Sequence, residues 1–212
     1  MKTKNNLLAV FTLLIASCSD VNNPKNSEVS LHDKPLLEVQ TQPRPLPNPD
    51  KNAYFGDLHV HTENSFDAYT FGTISTPVDA YKYARGHAIQ HPSGYLIQLS
   101  RPLDFYAVTD HGVFMGLMKE AADTTSEFSK YEFTKPLHNL NESGGTGFRD
   151  LIKRGGLFKP FGEKVREGVA DGTIDESLIL EVGRTVWQKT IKAADDAYVP
   201  GTFTTFAAYE YT

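Results

Sequence analysis

Polar and apolar residues alternate along the segment 54–62 (Tyr-Phe-Gly-Asp-Leu-His-Val-His-Thr), and this period of two predicts a β-strand. Successive side chains of a strand point to opposite faces of the sheet. Asp57, His59 and His61 therefore share one face, and the apolar residues between them lie on the other. The sequence predicts a half-buried strand that presents two imidazoles and a carboxylate together.

A helix and a second strand follow. Thr76 is a good N-cap and Pro77 suits the first helical position, so a helix is expected from there to about Gly86. The apolar segment 103–109 predicts the second strand, which ends in Asp-His-Gly at residues 110–112, where the glycine marks a turn.

A helical insertion is expected over residues 114–172. Its helical pieces are interrupted by glycine-rich stretches at residues 141–145 and 154–156. Such an insertion would separate the second strand from the next strand of the sheet.

One more helix and one more strand close the chain. Thr173 and Glu176 have the spacing of a capping box and predict a helix that ends before residues 200–201, with Trp187 in its buried face. Residues 202–211 are apolar and prone to form a strand. Strands that alternate with helices predict a parallel α/β sheet or barrel, whose active site lies at the C-terminal ends of the strands.

The N-terminus has the pattern of an export signal. Residues 1–18 contain two lysines, a short apolar run and Ile-Ala-Ser-Cys, which resembles a bacterial lipobox with Cys18 as the lipidated residue. The run is too short to span a bilayer. Residues 19–51 are rich in Pro, Asn and Ser and predict a tether, so the folded domain is expected over residues 52–212. Cys18 is the only cysteine, which excludes an intrachain disulfide.

Composition narrows the class of protein. The 212 residues carry a formal net charge of -5, with 40% hydrophobic and 11% aromatic residues, as in ordinary globular domains. The sequence shows no basic stripe of the kind that neutralises phosphates in a nucleic-acid binder. We therefore expect no nucleic-acid partner.

The strand ends carry the candidate chemistry. His59 and His61 lie about 6 to 7 Å apart along a strand and can grip one cation. Asp110 and His111 offer a second carboxylate and imidazole, although Asp-His-Gly is also compatible with a simple turn. Glu210 either is buried, in which case it needs a cation, or faces solvent at the end of its strand.

Two other histidines have a spacing that deserves comparison with a helical zinc motif. His87 and His91 are four residues apart, but Pro92 follows and no glutamate lies between them. They are interpreted as loop residues near the mouth of the site.

Three segments together resemble the polymerase and histidinol phosphatase (PHP) superfamily of metal-dependent hydrolases. They are residues 57–62 (Asp-Leu-His-Val-His-Thr), 107–111 (Ala-Val-Thr-Asp-His) and 208–212 (Ala-Tyr-Glu-Tyr-Thr). The resemblance runs from Tyr54 to the end of the sequence. Within the superfamily the chain looks most like a bacterial family labelled domain of unknown function 3604, whose members are longer.

The resemblance implies a distorted (β/α)7 TIM-like barrel that holds two or three divalent ions, such as zinc, manganese or iron. At matching positions His59 and His61 would bind one ion, and Glu210 would bridge it to a second. His111 would belong to a third, together with Asp67, which stands where relatives often have histidine. Later histidine ligands and a closing Asp-x-His motif have no counterpart here, so the resemblance implies an incomplete barrel, a fragment of the full domain.

Asp110 would either bind a metal ion itself or contact a residue that binds one. A small anionic ester, of phosphate or sulfate, would be the substrate. The lipobox predicts that the exported protein is anchored to a bacterial membrane by lipid. The expected location is the outer membrane, with the protein facing the periplasm or the cell surface. Two alternatives stay open: a lipid-anchored metal-containing binding protein without catalysis, and a metal-dependent amidohydrolase.

Overall fold

Ten helices and strands make up a mixed α/β structure in the computed structural model, which describes residues 46–142 and 147–212. In chain order they are β1 (Gly56–Asp57), α1 (Phe66–Thr70), α2 (Pro77–Ala84), β2 (Ile89–Gln90), β3 (Leu96–Ile97), β4 (Phe105–Val108), α3 (Leu117–Ala122), α4 (Phe148–Asp171), α5 (Glu176–Ala197) and β5 (Thr204–Ala207). Two 3-10 turns, Phe128–Lys130 and Glu132–Leu137, connect α3 to α4.

The central sheet has the strand order β1-β4-β5, and all its pairs are parallel. Gly56 pairs with Phe105, which in turn pairs with Thr204 on the other side. Parallel neighbours need long crossovers, which α2 and α5 help to provide. The parallel α/β prediction is thus confirmed, but the sheet is open, and the described residues contain no closed barrel.

One face of this sheet is covered by α2 and α5. The apolar cluster between them joins small helix residues to aromatic and aliphatic strand residues: Ala80, Tyr81, Ala84, Tyr106, Val108, Ala193, Ala194, Ala197 and Phe203. Alanine on the helices lets them approach the sheet closely. A second cluster packs α1, α3 and the two 3-10 turns against α4 and the start of α5.

The first strand is shorter than its alternation predicts. Only Gly56–Asp57 pair as a strand, because the Asp57 carboxylate accepts a hydrogen bond from the backbone N–H of His59 and bends the chain there (2.9 Å). Further along, the Thr109 hydroxyl oxygen accepts from the N–H of Val60, and the Val60 carbonyl accepts from the N–H of Thr109. The segment therefore still follows β4 although the regular ladder stops.

The predicted start of α2 is confirmed. Thr76 is the N-cap, its hydroxyl accepts from the N–H of Asp79, and the Asp79 side chain accepts from the Thr76 backbone. Pro77 occupies the first turn. This reciprocal capping box satisfies two backbone donors that the helix itself leaves unpaired.

A predicted helix break at residues 154–156 is wrong, because α4 continues through both glycines. Arg154 explains why. Its buried guanidinium donates to the carbonyl oxygens of Thr70 and Leu140 and to the side chain of Asn141. These bonds secure the turn that holds the glycines, so tertiary contacts outweigh their low helix propensity.

The predicted capping box of α5 is also wrong. Asp175 is the N-cap, and its carboxylate accepts from the N–H of Ser177 (2.8 Å). The hydroxyl of Thr173 instead donates to Asp171, the last residue of α4 (2.6 Å). Thr173 thus completes the turn between the helices, and Glu176 is simply the first residue of α5.

Trp187 is half-buried and lies outside both apolar clusters, so the prediction that it packs in the core is wrong. Val186, one position earlier, takes the buried place on the helix. The Trp187 ring contacts Tyr209 edge to face, with 5.9 Å between ring centroids. It therefore covers the outer side of the chain that follows β5.

The predicted signal peptide, the lipidated Cys18 and most of the tether lie outside the described residues. In the part of the chain that the structure describes, no helix combines the length and the apolar character needed to cross a membrane.

Candidate metal centre

The C-terminal edge of the parallel sheet brings the candidate ligands together. The chain after β1 supplies two histidines, the chain after β4 supplies Asp110 and His111, and the chain after β5 supplies Glu210. Beyond the regular strands, His111 and Glu210 form a parallel bridge. In it the Glu210 N–H donates to the Asp110 carbonyl (3.0 Å), and the Gly112 N–H donates to the Glu210 carbonyl (2.9 Å). Backbone bonds thus fix Glu210 beside His111.

His59, His61 and Glu210 form the first group of possible ligands. Oε2 of Glu210 lies 2.8 Å from Nε2 of His61 and 3.2 Å from Nε2 of His59. The two imidazoles stack with 5.0 Å between ring centroids. The His59 side chain is 72% exposed and that of His61 only 15%, so this group opens to solvent on the His59 side.

His61, Asp67 and His111 form a second group. Nδ1 of His61 lies 3.1 Å from Oδ2 of Asp67, and Nε2 of His111 lies 3.5 Å from the same oxygen. Asp67 lies in the first turn of the short helix α1, which follows directly after the paired histidines. His61 thus contributes one ring nitrogen to each group.

The residues fit a divalent cation. Nδ1 of His111 is buried and has no hydrogen-bond partner among the described residues; Oε2 of Glu210 lies 3.6 Å away. Within residues 46–142 and 147–212, no Lys or Arg side chain pairs with Asp67 or Glu210. The ligand atoms of each group lie within 4.8 Å of one another. Imidazole and carboxylate donors suit zinc, manganese and iron.

The shared His61 limits how the two groups can be used. A neutral imidazole has one lone pair for a metal, because its other nitrogen carries a proton. When Nε2 of His61 binds a cation, Nδ1–H donates to Asp67, which then orients the ring. Asp67 and His111 would then need a further donor to complete a second site.

Asp67 is kept in its charged form. Burial alone would raise the pKa of Asp67, but hydrogen bonds from the Ser65 hydroxyl (2.7 Å), His61 and the backbone N–H of Ala68 (2.6 Å) outweigh it and lower the pKa. A carboxylate that stays ionised is an effective ligand and an effective partner for imidazole.

Asp110, also expected near the metal, belongs to neither group. Its carboxylate is 1% exposed, and both oxygens accept from Thr62, one from the backbone N–H and the other from the hydroxyl (2.7 Å). Burial is the largest influence and raises the pKa of Asp110, although the Thr62 donors pull it down. Asp110 therefore fixes the backbone directly after His61.

The interpretation of His87 and His91 as residues near the mouth is wrong. They follow α2, whose C-terminal turn at Gly86 lies against Pro102, just before β4 begins. This is the opposite end of β4 from Asp110. The helix runs antiparallel to the strand, which carries its C-terminal loop away from the ligands.

Phe66 is not among the site residues predicted from sequence. Its ring stacks on the imidazole of His111, with 4.4 Å between centroids and an angle of 14° between the planes. An aromatic residue directly before Asp67 is the only local signal, and nothing in the sequence pairs it with a residue so distant along the chain.

Comparison with known proteins gives one match. Residues 48–212 match the family model described as "Protein of unknown function (DUF3604)". No curated protein and no solved structure matches the chain.

Proposed function

This chain belongs to the DUF3604 family, and we propose that it is a metal-dependent hydrolase of phosphate esters, or of related sulfate esters, acting outside the cytoplasm. One observation carries the proposal. The chain after three neighbouring parallel strands, β1, β4 and β5, brings His59, His61, His111 and Glu210 to one edge of the sheet, where Asp67 of α1 joins them.

A bound divalent cation in such a site lowers the pKa of a coordinated water and draws charge from the non-bridging oxygens of an ester. His59, His61 and Glu210 would hold the cation, and the exposed His59 leaves this group open to solvent. Asp67 would accept a hydrogen bond from Nδ1–H of His61, which would leave Nε2 free to bind. Without a cation, the charges of Asp67 and Glu210 would repel an anionic ester.

The proposal includes the superfamily to which the chain belongs. We place the chain in the PHP superfamily, with the open parallel sheet as part of its distorted barrel. The position of the candidate ligands supports this, because active sites in barrels of this kind lie at the C-terminal ends of parallel strands. The apolar N-terminal run and Cys18 support export and a lipid anchor in a bacterial membrane.

Turnover by the full-length protein tests the proposal. Metal is removed with a chelator, and zinc, manganese or iron is restored before p-nitrophenyl phosphate, bis-p-nitrophenyl phosphate and p-nitrophenyl sulfate are supplied. We expect metal-dependent hydrolysis of at least one ester, and a fall of about a hundredfold or more in His59→Ala, since one ligand of the cation is lost. The matched control is His87→Ala, an exposed histidine at the far end of β4, which should leave turnover unchanged.

Three other outcomes would contradict the proposal in different ways. Equal turnover in wild type and His59→Ala would show that a cation bound by His59 takes no part in the reaction. Metal binding without hydrolysis of any ester would favour a binding protein. Hydrolysis of p-nitroanilides or lactones, but not of phosphate or sulfate esters, would favour an amidohydrolase.

A further inference from the structure

Three aromatic rings form a continuous stack that ends at the candidate metal centre. The imidazole of His111 lies on Phe66, and Phe66 lies on Phe158, with 4.2 Å between the two phenyl centroids and an angle of 10° between their planes. Phe158 belongs to α4, in the helical insertion. The stack thus connects the insertion to a residue at the end of β4.

The stack determines how the His111 ring is turned. Phe66 covers one face of the imidazole, and His61 meets it nearly perpendicularly, with 4.7 Å between centroids and an angle of 72°. In this plane Nε2 points toward Asp67 and Nδ1 toward Glu210. Rotation of the ring out of this plane would drive its edge into Phe66.

Among the described residues, no hydrogen bond fixes the orientation of the His111 ring. Nδ1 of His111 is buried without a hydrogen-bond partner in the described part of the chain, and Nε2 lies 3.5 Å from Asp67, too far for a strong bond. In most metal sites a hydrogen bond from the second ring nitrogen orients a ligating histidine. Here the packed ring takes that role.

We propose that Phe66, supported by Phe158 of α4, is the positioning residue that sets the ring plane of His111, so that the helical insertion controls the geometry of the metal centre. The part that concerns metal rests on the proposed function. The orientation of the His111 ring does not, because the stack exists without a cation.

The test compares five forms of the full chain, purified in mild detergent because a lipid anchor is expected. They are wild type, Phe66→Leu, Phe66→Tyr, Phe158→Ala and Phe128→Leu. Leucine keeps apolar volume but removes the flat ring, and tyrosine keeps the ring. Phe128 lies in the same apolar cluster as Phe66 and contacts other aromatic rings than His111, so Phe128→Leu is the matched control for lost stability.

Two quantities are measured. In metal-free protein, NMR records the ring-current shift of the His111 imidazole protons. In parallel, the dissociation constant for zinc is obtained by competition with a chromogenic chelator. We expect Phe66→Leu to abolish the ring-current shift and to weaken zinc binding by about tenfold or more. Phe66→Tyr should keep both near wild type, and Phe128→Leu should lower the melting temperature but leave both unchanged.

The outcomes separate the two proposals. An unchanged ring-current shift in Phe66→Leu, or an equal loss of zinc affinity in Phe128→Leu, would overturn the positioning role. If wild type binds no zinc while the shift disappears only in Phe66→Leu, the positioning role stands and the metallohydrolase proposal fails. Phe158→Ala should reduce the ring-current shift of His111 and weaken zinc binding, as Phe66→Leu does. If Phe158→Ala changed neither quantity, the proposed control by α4 would be overturned.

Discussion

Replacing Asp110 by alanine separates two roles for a carboxylate beside a metal centre. In the structure both oxygens of Asp110 accept from Thr62, the residue directly after His61, and the group is 1% exposed. Alanine would leave the buried N–H and hydroxyl of Thr62 without an acceptor. The segment that carries His61 would then lose two of its hydrogen bonds to the end of β4, although the bonds between Val60 and Thr109 would remain.

The magnitude follows from the two bonds. A hydrogen bond to a charged acceptor contributes about 1.5–3 kcal/mol. The cost of burying the Asp110 charge offsets part of this sum. We expect Asp110→Ala to lower the free energy of unfolding by about 3 kcal/mol. Asp110→Asn should cost about 1 kcal/mol, because its carbonyl can accept from the Thr62 N–H and its amide can donate to the Thr62 hydroxyl oxygen.

The assay is urea unfolding followed by circular dichroism, with a chelator present throughout. If Asp110 were instead chiefly a metal ligand, its removal from metal-free protein would relieve repulsion from Asp67 and the cost of its own burial. Asp110→Ala would then be neutral or stabilising. A loss of less than about 1 kcal/mol would therefore refute the assigned role. Thr62→Val, which removes only the hydroxyl, should show coupling to Asp110→Asn in a double-mutant cycle.

Three further predictions test the packing around the site. Arg154→Leu removes the donor of three hydrogen bonds, one buried and two partly buried, and should cost about 3 kcal/mol in urea unfolding, whereas a surface Arg→Leu change on α4 should cost little. Asp175→Ala should destabilise the protein by about 1 kcal/mol and Thr173→Ala by less than about 0.5 kcal/mol, because only Asp175 caps α5. A larger loss in Thr173→Ala than in Asp175→Ala would instead support the capping box predicted from sequence. Burial, and then the charge of Asp57, raises the pKa of Tyr106 above its ordinary value of 10.0. The contribution of Tyr106 to stability is therefore fully present below pH 10.0 and is lost as the pH rises through the higher pKa of the folded state. Tyr106→Phe should remove this loss of stability at alkaline pH. Identical plots of stability against pH for wild type and Tyr106→Phe would contradict the prediction.

Local signals predicted the elements that depend on local physics. Thr76 and Pro77 specify the start of α2 through a cap and a fixed backbone angle, and the structure has both. The apolar segment before Asp110 predicted β4, and the alternation of strands with helices predicted a parallel sheet. For the helix start and for β4 the determining signal lies within a few residues.

Other features depend on contacts that a sequence pattern does not show. The course of α4 through its two glycines follows from Arg154, which is held by distant oxygens. The start of α5 shifts to Asp175 because Gly172 ends α4 in a left-handed conformation and Ile174 is buried behind it. A capping-box spacing at Thr173 could not reveal that turn.

The same division applies to the candidate site. Five imidazole and carboxylate residues at three strand ends, and Asp67 through the family resemblance, were predicted at the metal site, and the structure brings all of these six residues except Asp110 into two groups. The sixth, Asp110, is turned toward Thr62. That role, and the stack of Phe66 on His111, arise from packing between segments far apart in the chain.

The metal content of the purified full-length protein tests the central claim most directly. Wild type is compared with the double variant His59→Ala, His61→Ala and with the control His87→Ala, His91→Ala, each measured by plasma mass spectrometry after dialysis. The account predicts at least one bound equivalent of zinc, manganese or iron in wild type and in the control, and its loss in the first variant. Folded wild-type protein without metal, or equal metal content in all three proteins, would contradict it.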